Sequence, residues 1–180
     1  MSTTPRAPAH GEHTTHGVPA GYTSLTPFIV VEPAAQALEF YRDVFGATVL
    51  SRMPGAPRED GSETISHAEL DFGHGILQLA DPMPGLRAQD AEHVSGSICL
   101  YVPDVDAVFA AAVARGATVV EPPSDFVSGD RYATVLDPFH RRWAVMTRVE
   151  DLSRAASEAR VNAWLAQYLA GPGTDPETSP

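Results

Sequence analysis

Apolar positions along this chain follow two periods, one helical and one alternating, and the two succeed each other in a fixed order. Residues 25–31 form a short apolar run that reads as a strand. Pro33 stands at a favoured first helical position, and Ala34, Leu38, Tyr41 and Phe45, with Ala37 and Val44 beside them, recur at helical spacing. Gly46 supplies the left-handed residue that stops such a helix. Residues 48–53 read as a strand, 54–62 as a loop, 64–72 as an alternating strand, and 76–80 as its return after a glycine turn. The order is β-α-β-β-β.

The same order then recurs. Residues 97–102 read as a strand, and Asp104 can cap a helix whose inner face is Val105, Val108, Phe109 and Ala112. Gly116 stops it. A strand at 118–120, a loop at 122–128 and a strand at 132–136 follow, and the turn Asp137-Pro138-Phe139-His140 leads into a last strand at 142–147. Pro33 stands thirteen residues before Gly46-Ala47-Thr48-Val49, and Pro103 thirteen before Gly116-Ala117-Thr118-Val119. A repeated four-residue block inside a repeated element order implies that two copies of one unit were fused.

Outside the repeat the pattern fades. Residues 1–20, rich in Thr, Pro, Gly and His, predict a disordered tail, and His10, His13 and His16 within it read as stray histidines rather than a metal site. Leu152, Ala156, Val161, Trp164, Leu165 and Tyr168 predict a helix over 150–170, docked on the body or on a partner, with a second tail at 171–180. The expected organisation is one domain over 21–149, divided into a module at 23–82, a linker at 83–95 and a module at 96–149.

Composition narrows the function. At 180 residues, 43% hydrophobic and 19% charged, the chain has globular values for a single domain. The single cysteine, Cys99, excludes an internal disulfide and suits a reducing, cytoplasmic compartment. No apolar run is long enough to span a bilayer, and the N-terminus lacks the order of a secretion signal, so no membrane partner is expected. A formal net charge of −11, with no lysine, excludes nucleic acid as a partner. The acidity would draw in a cationic ligand or simply keep the protein soluble.

Several segments together resemble the vicinal-oxygen-chelate superfamily, which comprises glyoxalase, bleomycin-resistance and dioxygenase proteins, and within it the PhnB-like branch. They are Ala37-Leu38-Glu39-Phe40-Tyr41, Val44-Phe45-Gly46-Ala47, His67-Ala68-Glu69-Leu70, Gly129-Asp130-Arg131-Tyr132, and Asp137-Pro138-Phe139 with Trp143. His140 departs from the family, which usually has Gly after that turn. The resemblance implies an α+β fold of two tandem βαβββ modules forming a curved mixed sheet around a cavity, plus the C-terminal helix. The family's metalloenzymes place one ligand on the first and one on the fourth strand of each unit, positions that fall here on Thr26, Gln78, Ser97 and Ala144. None of these is a His or a carboxylate, so no metal and no cofactor are expected, and the metal-dependent activities lose their footing.

Strand alternation puts Thr26 with Phe28, Ser97 with Cys99 and Tyr101, and Arg142 with Ala144 and Met146 on common faces. With Gln78, these define the expected ligand cleft, and Phe28, Tyr101 and Phe126 could form a stacking wall; Trp143 reads as core, and Cys99 as a small filler. His67, Glu69 and Asp71 share one face of their strand, so His67 and Glu69 are the candidate acid–base pair if that face borders the cavity. The alternative is an exposed strand or a dimer seam, with both residues solvated. Arg131 could clamp an anion or tie loops together.

Three functions fit. The first is a metal-free binding protein for a small molecule, an antibiotic or secondary metabolite of cationic or aromatic character, similar to superfamily members that sequester antibiotics. The second is a metal-independent isomerase or lyase using His67 and Glu69. The third is a metalloenzyme with nonstandard ligands. Whether there is catalysis is left open. A homodimer is expected because half-sheets leave edges and an apolar face to cover.

Overall fold

A computed structural model describes residues 6–90 and 92–170 of the chain. It opens with a short hairpin, β1 (Thr14–Thr15) and β2 (Val18–Pro19), turned by His16 and Gly17 at φ +48° and +84°. Strands of two residues carry no readable period, which is why this segment reads as structureless in sequence. The first repeat unit follows as β3 (Phe28–Val30), α1 (Ala34–Phe45), β4 (Thr48–Pro54), β5 (Ile65–Asp71) and β6 (Ile76–Ala80). The second is β7 (Ser97–Tyr101), α2 (Val105–Ala114), β8 (Thr118–Phe126), β9 (Asp130–Leu136) and β10 (Arg142–Arg148), after which comes α3 (Arg154–Ala170). The expected tail at 171–180 lies outside the described residues.

The α+β architecture of two tandem modules holds. Each module makes a four-stranded mixed sheet, in the orders β3-β6-β5-β4 and β7-β10-β9-β8. The first strand of each pairs in parallel with the fourth, and the other pairs are antiparallel. The chain divides into two compact units, one running to Ser95 and taking in Phe139–Arg141, the other formed by Gly96–Pro138 and the chain from Arg142 onward.

In the first unit, α1 buries Ala34, Ala37, Leu38, Tyr41, Val44 and Phe45, the apolar stripe seen in sequence, and Phe40 besides. Phe40 meets Tyr41, Phe45 and Phe139 edge-on, with ring centroids 5.8–6.1 Å apart. Pro33 is the N-cap rather than the first helical residue, and its ring offers no cap acceptor. Asp81, 3% exposed, fills that role from the end of β6. Its carboxylate accepts from Ala34 N at 3.1 Å and Ile65 N at 2.7 Å, and from Arg58 Nη2 at 2.6 Å.

In the second unit, Asp104 caps α2 by accepting from Ala107 N at 3.0 Å, as its sequence position predicts. Val105 and Ala112 are buried, while Val108 and Phe109 are half-buried. Trp143 is 1% exposed, and its Nε1 donates to Asp137 Oδ2 at 2.9 Å, so this indole is core and satisfied. The expected loop at 122–128 is corrected: β8 continues to Phe126 across register shifts between Val119 and Ser124. Pro122 and Pro123 lack the N–H a ladder needs, but β8 is an edge strand, where bulges and prolines are tolerated.

Candidate functional site

Register assembles one polar row across the first sheet. Phe28 on β3 pairs with Gln78 on β6, Gln78 with Glu69 on β5, and Glu69 with Ser51 on β4. Paired residues share a face, and His67, two residues before Glu69, shares it too, opposite Met53. The alternation that made His67 and Glu69 candidates therefore brings them together with Phe28 and Gln78. Thr26 is not in this row. It precedes β3, and its hydroxyl donates to Thr23 O at 3.2 Å. The strand begins three residues later than the apolar run suggests, so Phe28 takes the place beside Gln78.

Glu69 is the hub. Its Oε1 accepts from Gln78 Nε2 at 3.1 Å and lies 3.3 Å from His67 Nε2, and it also accepts the phenol proton of Tyr22. Its Oε2 accepts from Ser51 Oγ at 3.2 Å. The hydrogen bond from Tyr22 leads the causes that hold this carboxyl below the ordinary glutamate value, with those from His67, Gln78 and Ser51 adding to it against desolvation. The same bond raises the Tyr22 phenol, which stays a donor. Glu69 and His67 keep side-chain exposures of 19% and 28%, and the His67 ring stacks on Phe28 with centroids 6.0 Å apart. Among the described residues no arginine pairs with Glu69, so this partly desolvated anion has no formal countercharge unless His67 is protonated. Tyr22 has no local sequence signal as a site residue, because its partner is forty-seven residues away.

The second sheet brings the other expected residues into two rows of different character. Cys99 pairs with Ala144, Ala144 with Thr134, and Thr134 with Glu121; Tyr101 pairs with Met146, Met146 with Tyr132, and Tyr132 with Ser124. Thr134 Oγ1 donates to Glu121 Oε2 at 2.6 Å, and Arg142 lies 3.7 Å from the same oxygen. Ser97 pairs with Arg142 and donates its hydroxyl proton to the Arg142 carbonyl at 3.4 Å. Cys99 is exposed rather than a buried filler. Phe126 stands outside both rows, edge-on to Tyr132 and Trp164. Arg131 is committed to structure: it donates to both Asp106 oxygens at 2.7 and 2.8 Å and to Asp125 at 2.9 Å.

The donor set does not fit a resident divalent metal. Thr26, Gln78 and Ser97 offer only neutral oxygens, where a tightly held divalent metal takes imidazole, carboxylate or thiolate, and Ala144 has no ligand atom at all. No group of three His, Cys, Asp or Glu side chains suited to a metal converges among the described residues. A cavity of about 800 Å³ in the first unit is lined by Glu32, Arg58, Ile65, Asp81 and Met83, among others. Its polar groups serve the fold, since Arg58 is tied to Asp81 at 2.6 Å and to Glu32 at 3.2 Å.

The tandem βαβββ sheets define a class, and the family comparison agrees: the model described as the Glyoxalase/Bleomycin resistance protein/Dioxygenase superfamily matches residues 20–145. The chain belongs to that superfamily. Over 146 residues, 78% of this chain and 93% of the relative, it is 35% identical to the uncharacterized protein Mb0911c of Mycobacterium bovis. Among solved structures, TioX from Micromonospora sp. ML1 is similar at a TM-score of 0.55, 26% identical over 70% of this chain and 98% of that one. The PhnB protein of Bacillus cereus, 17% identical over 69% of this chain and 99% of its own, shares the fold at a TM-score of 0.55. No helix among the described residues is long and apolar enough to cross a membrane.

Proposed function

We propose that this protein captures a small cationic or aromatic organic molecule without a metal, using the face that carries Phe28, His67, Glu69 and Gln78, and that it does so as a homodimer. One observation carries the reading: hydrogen bonds from Tyr22, Gln78 and Ser51 favour the ionised form of Glu69 beside the Phe28–His67 stack, an anion with no arginine partner among the described residues next to an aromatic surface. Such a pair suits a ligand that presents a ring and a positive charge. The superfamily's bleomycin-resistance members and the unsuitable metal donor set support the same reading. Calorimetric titration of chelator-treated protein with a panel of aromatic amines and basic antibiotics tests it. Binding is expected, unchanged by added divalent metal, and weakened about tenfold or more in Glu69→Gln and Phe28→Ala. Affinity that requires metal, or that survives both substitutions, overturns it.

A second reading has an observation of its own. His67 Nε2 lies 3.3 Å from Glu69 Oε1, close enough for the carboxylate to orient the imidazole for proton transfer in an isomerase or lyase. Oε1 is shared among three donors, which blunts its basicity and places this reading second. Turnover of a panel compound, abolished in His67→Ala while binding persists, would put it first.

A further inference from the structure

The second unit holds a cavity that shares no residue with the Glu69 row and takes no part in the function proposed above. It measures about 510 Å³, within the range of small-molecule sites, and lies between α3 and the end of β8. There the Phe126 ring and the Trp164 indole meet edge to face, centroids 5.1 Å apart at 78°, and Tyr168 stacks on Trp164 at 5.4 Å. The helix is fastened by polar bonds: Ser157 Oγ donates to Ser128 O at 2.9 Å, and Arg160 grips both Glu150 oxygens at 2.8 and 2.9 Å. None of its residues is buried, and Trp164 stays 39% exposed. The aromatic surface of α3 is thus not spent on the core.

Charge selects among flat ligands. Arg160 is matched by Glu150, and Arg131 is shared between Asp106 and Asp125. Among the residues lining the cavity, Asp125 and Glu150 against Arg160 leave one negative charge in excess, and Asp125 is the more exposed carboxylate, at 73%. We propose that this cavity is a binding site for a planar aromatic cation of two or three fused rings, stacked against Trp164 and Phe126 with its charge toward Asp125. Rings offer their faces to flat π-systems and cations alike, and the acidic rim rejects flat anions.

The chain has two tryptophans, and Trp143 is buried, so quenching of indole emission reports on Trp164. The test titrates the full chain with proflavine, a flat tricyclic cation, following dye anisotropy for affinity and indole quenching for location. Pyrenesulfonate serves as the flat anion. Saturable binding is expected, accompanied by quenching. Trp164→Ala, and Ala163→Trp as a plug on the cavity wall, should each weaken it about tenfold or more, and Asp125→Asn about threefold. In Glu69→Gln the indole quenching should titrate as in the parent, whatever dye the first sheet takes up, which separates this site from the one on that sheet. Circular dichroism on both α3 variants guards against loss of the helix, and Ala163→Trp keeps every aromatic ring in place. Affinity unchanged in both variants overturns the proposal, as does equal binding of pyrenesulfonate or loss of the indole quenching in Glu69→Gln. A dimer that falls to monomer mass in Trp164→Ala puts a second copy on this face and also overturns it.

Discussion

Tyr22 reaches Glu69 across forty-seven residues of chain, and its hydrogen bond is the first cause of the lowered Glu69 carboxyl. Tyr22→Phe should therefore move that carboxyl up toward the ordinary glutamate value, as read by a carboxyl carbon NMR titration. An unmoved titration would remove Tyr22 from the site. The direction of the shift also fixes a pH dependence. A carboxyl lowered in the folded state stabilises fully above its unfolded value and stops doing so as pH falls through the folded one. The stability gap between the parent and Glu69→Gln in urea should be flat from neutral pH to about pH 5 and shrink in more acid solution. A gap that widened on acidification would reverse the assignment. His140, where the family usually has Gly, has a physical account in its φ of +64° on the turn into β10. A non-glycine residue there bears a steric cost, offset in part by the greater freedom glycine would have when unfolded. His140→Gly should stabilise by about 0.5–1 kcal/mol in the same urea experiment.

At the scale of elements, Asp81 shows how one side chain sets three of them. It caps α1, anchors the start of β5 and straps the intervening loop through Arg58. Asp81→Ala leaves two backbone N–H groups without their acceptor and takes the 2.6 Å partner from Arg58, which keeps only its longer bonds to Glu32 and Glu63 O, and should cost about 3 kcal/mol or more by thermal or urea unfolding. Loss of less than about 1 kcal/mol would show that the strap is slack. None of this is readable from the local pattern around Pro33, which shows only where a helix can start. What is legible locally is what repeats locally. The stripe of α1, the Asp104 cap and the alternation joining His67 to Glu69 all have their cause within a few residues. The late start of β3, which displaces Thr26 in favour of Phe28, the passage of β8 through Pro122 and Pro123, and Tyr22's contact with Glu69 are decided by neighbours far along the chain. Local pattern is blind to them.

At the scale of the molecule, the repeat places matching apolar surface on both units. Val49 and Leu50 follow Gly46-Ala47-Thr48 on β4, and Val119 and Val120 follow Gly116-Ala117-Thr118 on β8. All four are exposed, by 38–50%. Both are edge strands, with unpaired backbone groups along one side. An edge that is apolar as well as unpaired is the surface a second copy is expected to cover, so the chain should run as a homodimer in light scattering at about 10 μM, burying on the order of 800 Å² per partner. Leu50→Glu together with Val120→Glu should give a monomer with unchanged circular dichroism. Charge then predicts how salt acts. Each chain carries a formal −11, so two copies repel through water, and that repulsion is screened once the Debye length falls to about 8–10 Å near physiological ionic strength. An association held by apolar edges against like charge must tighten as salt rises from about 20 to 500 mM, because screening removes the opposing term and leaves the driving one in place. An interface held by cross-subunit ion pairs would loosen over the same range. A dissociation constant that grows with salt, or a monomer at every salt concentration, would therefore remove these edges as the dimer contact.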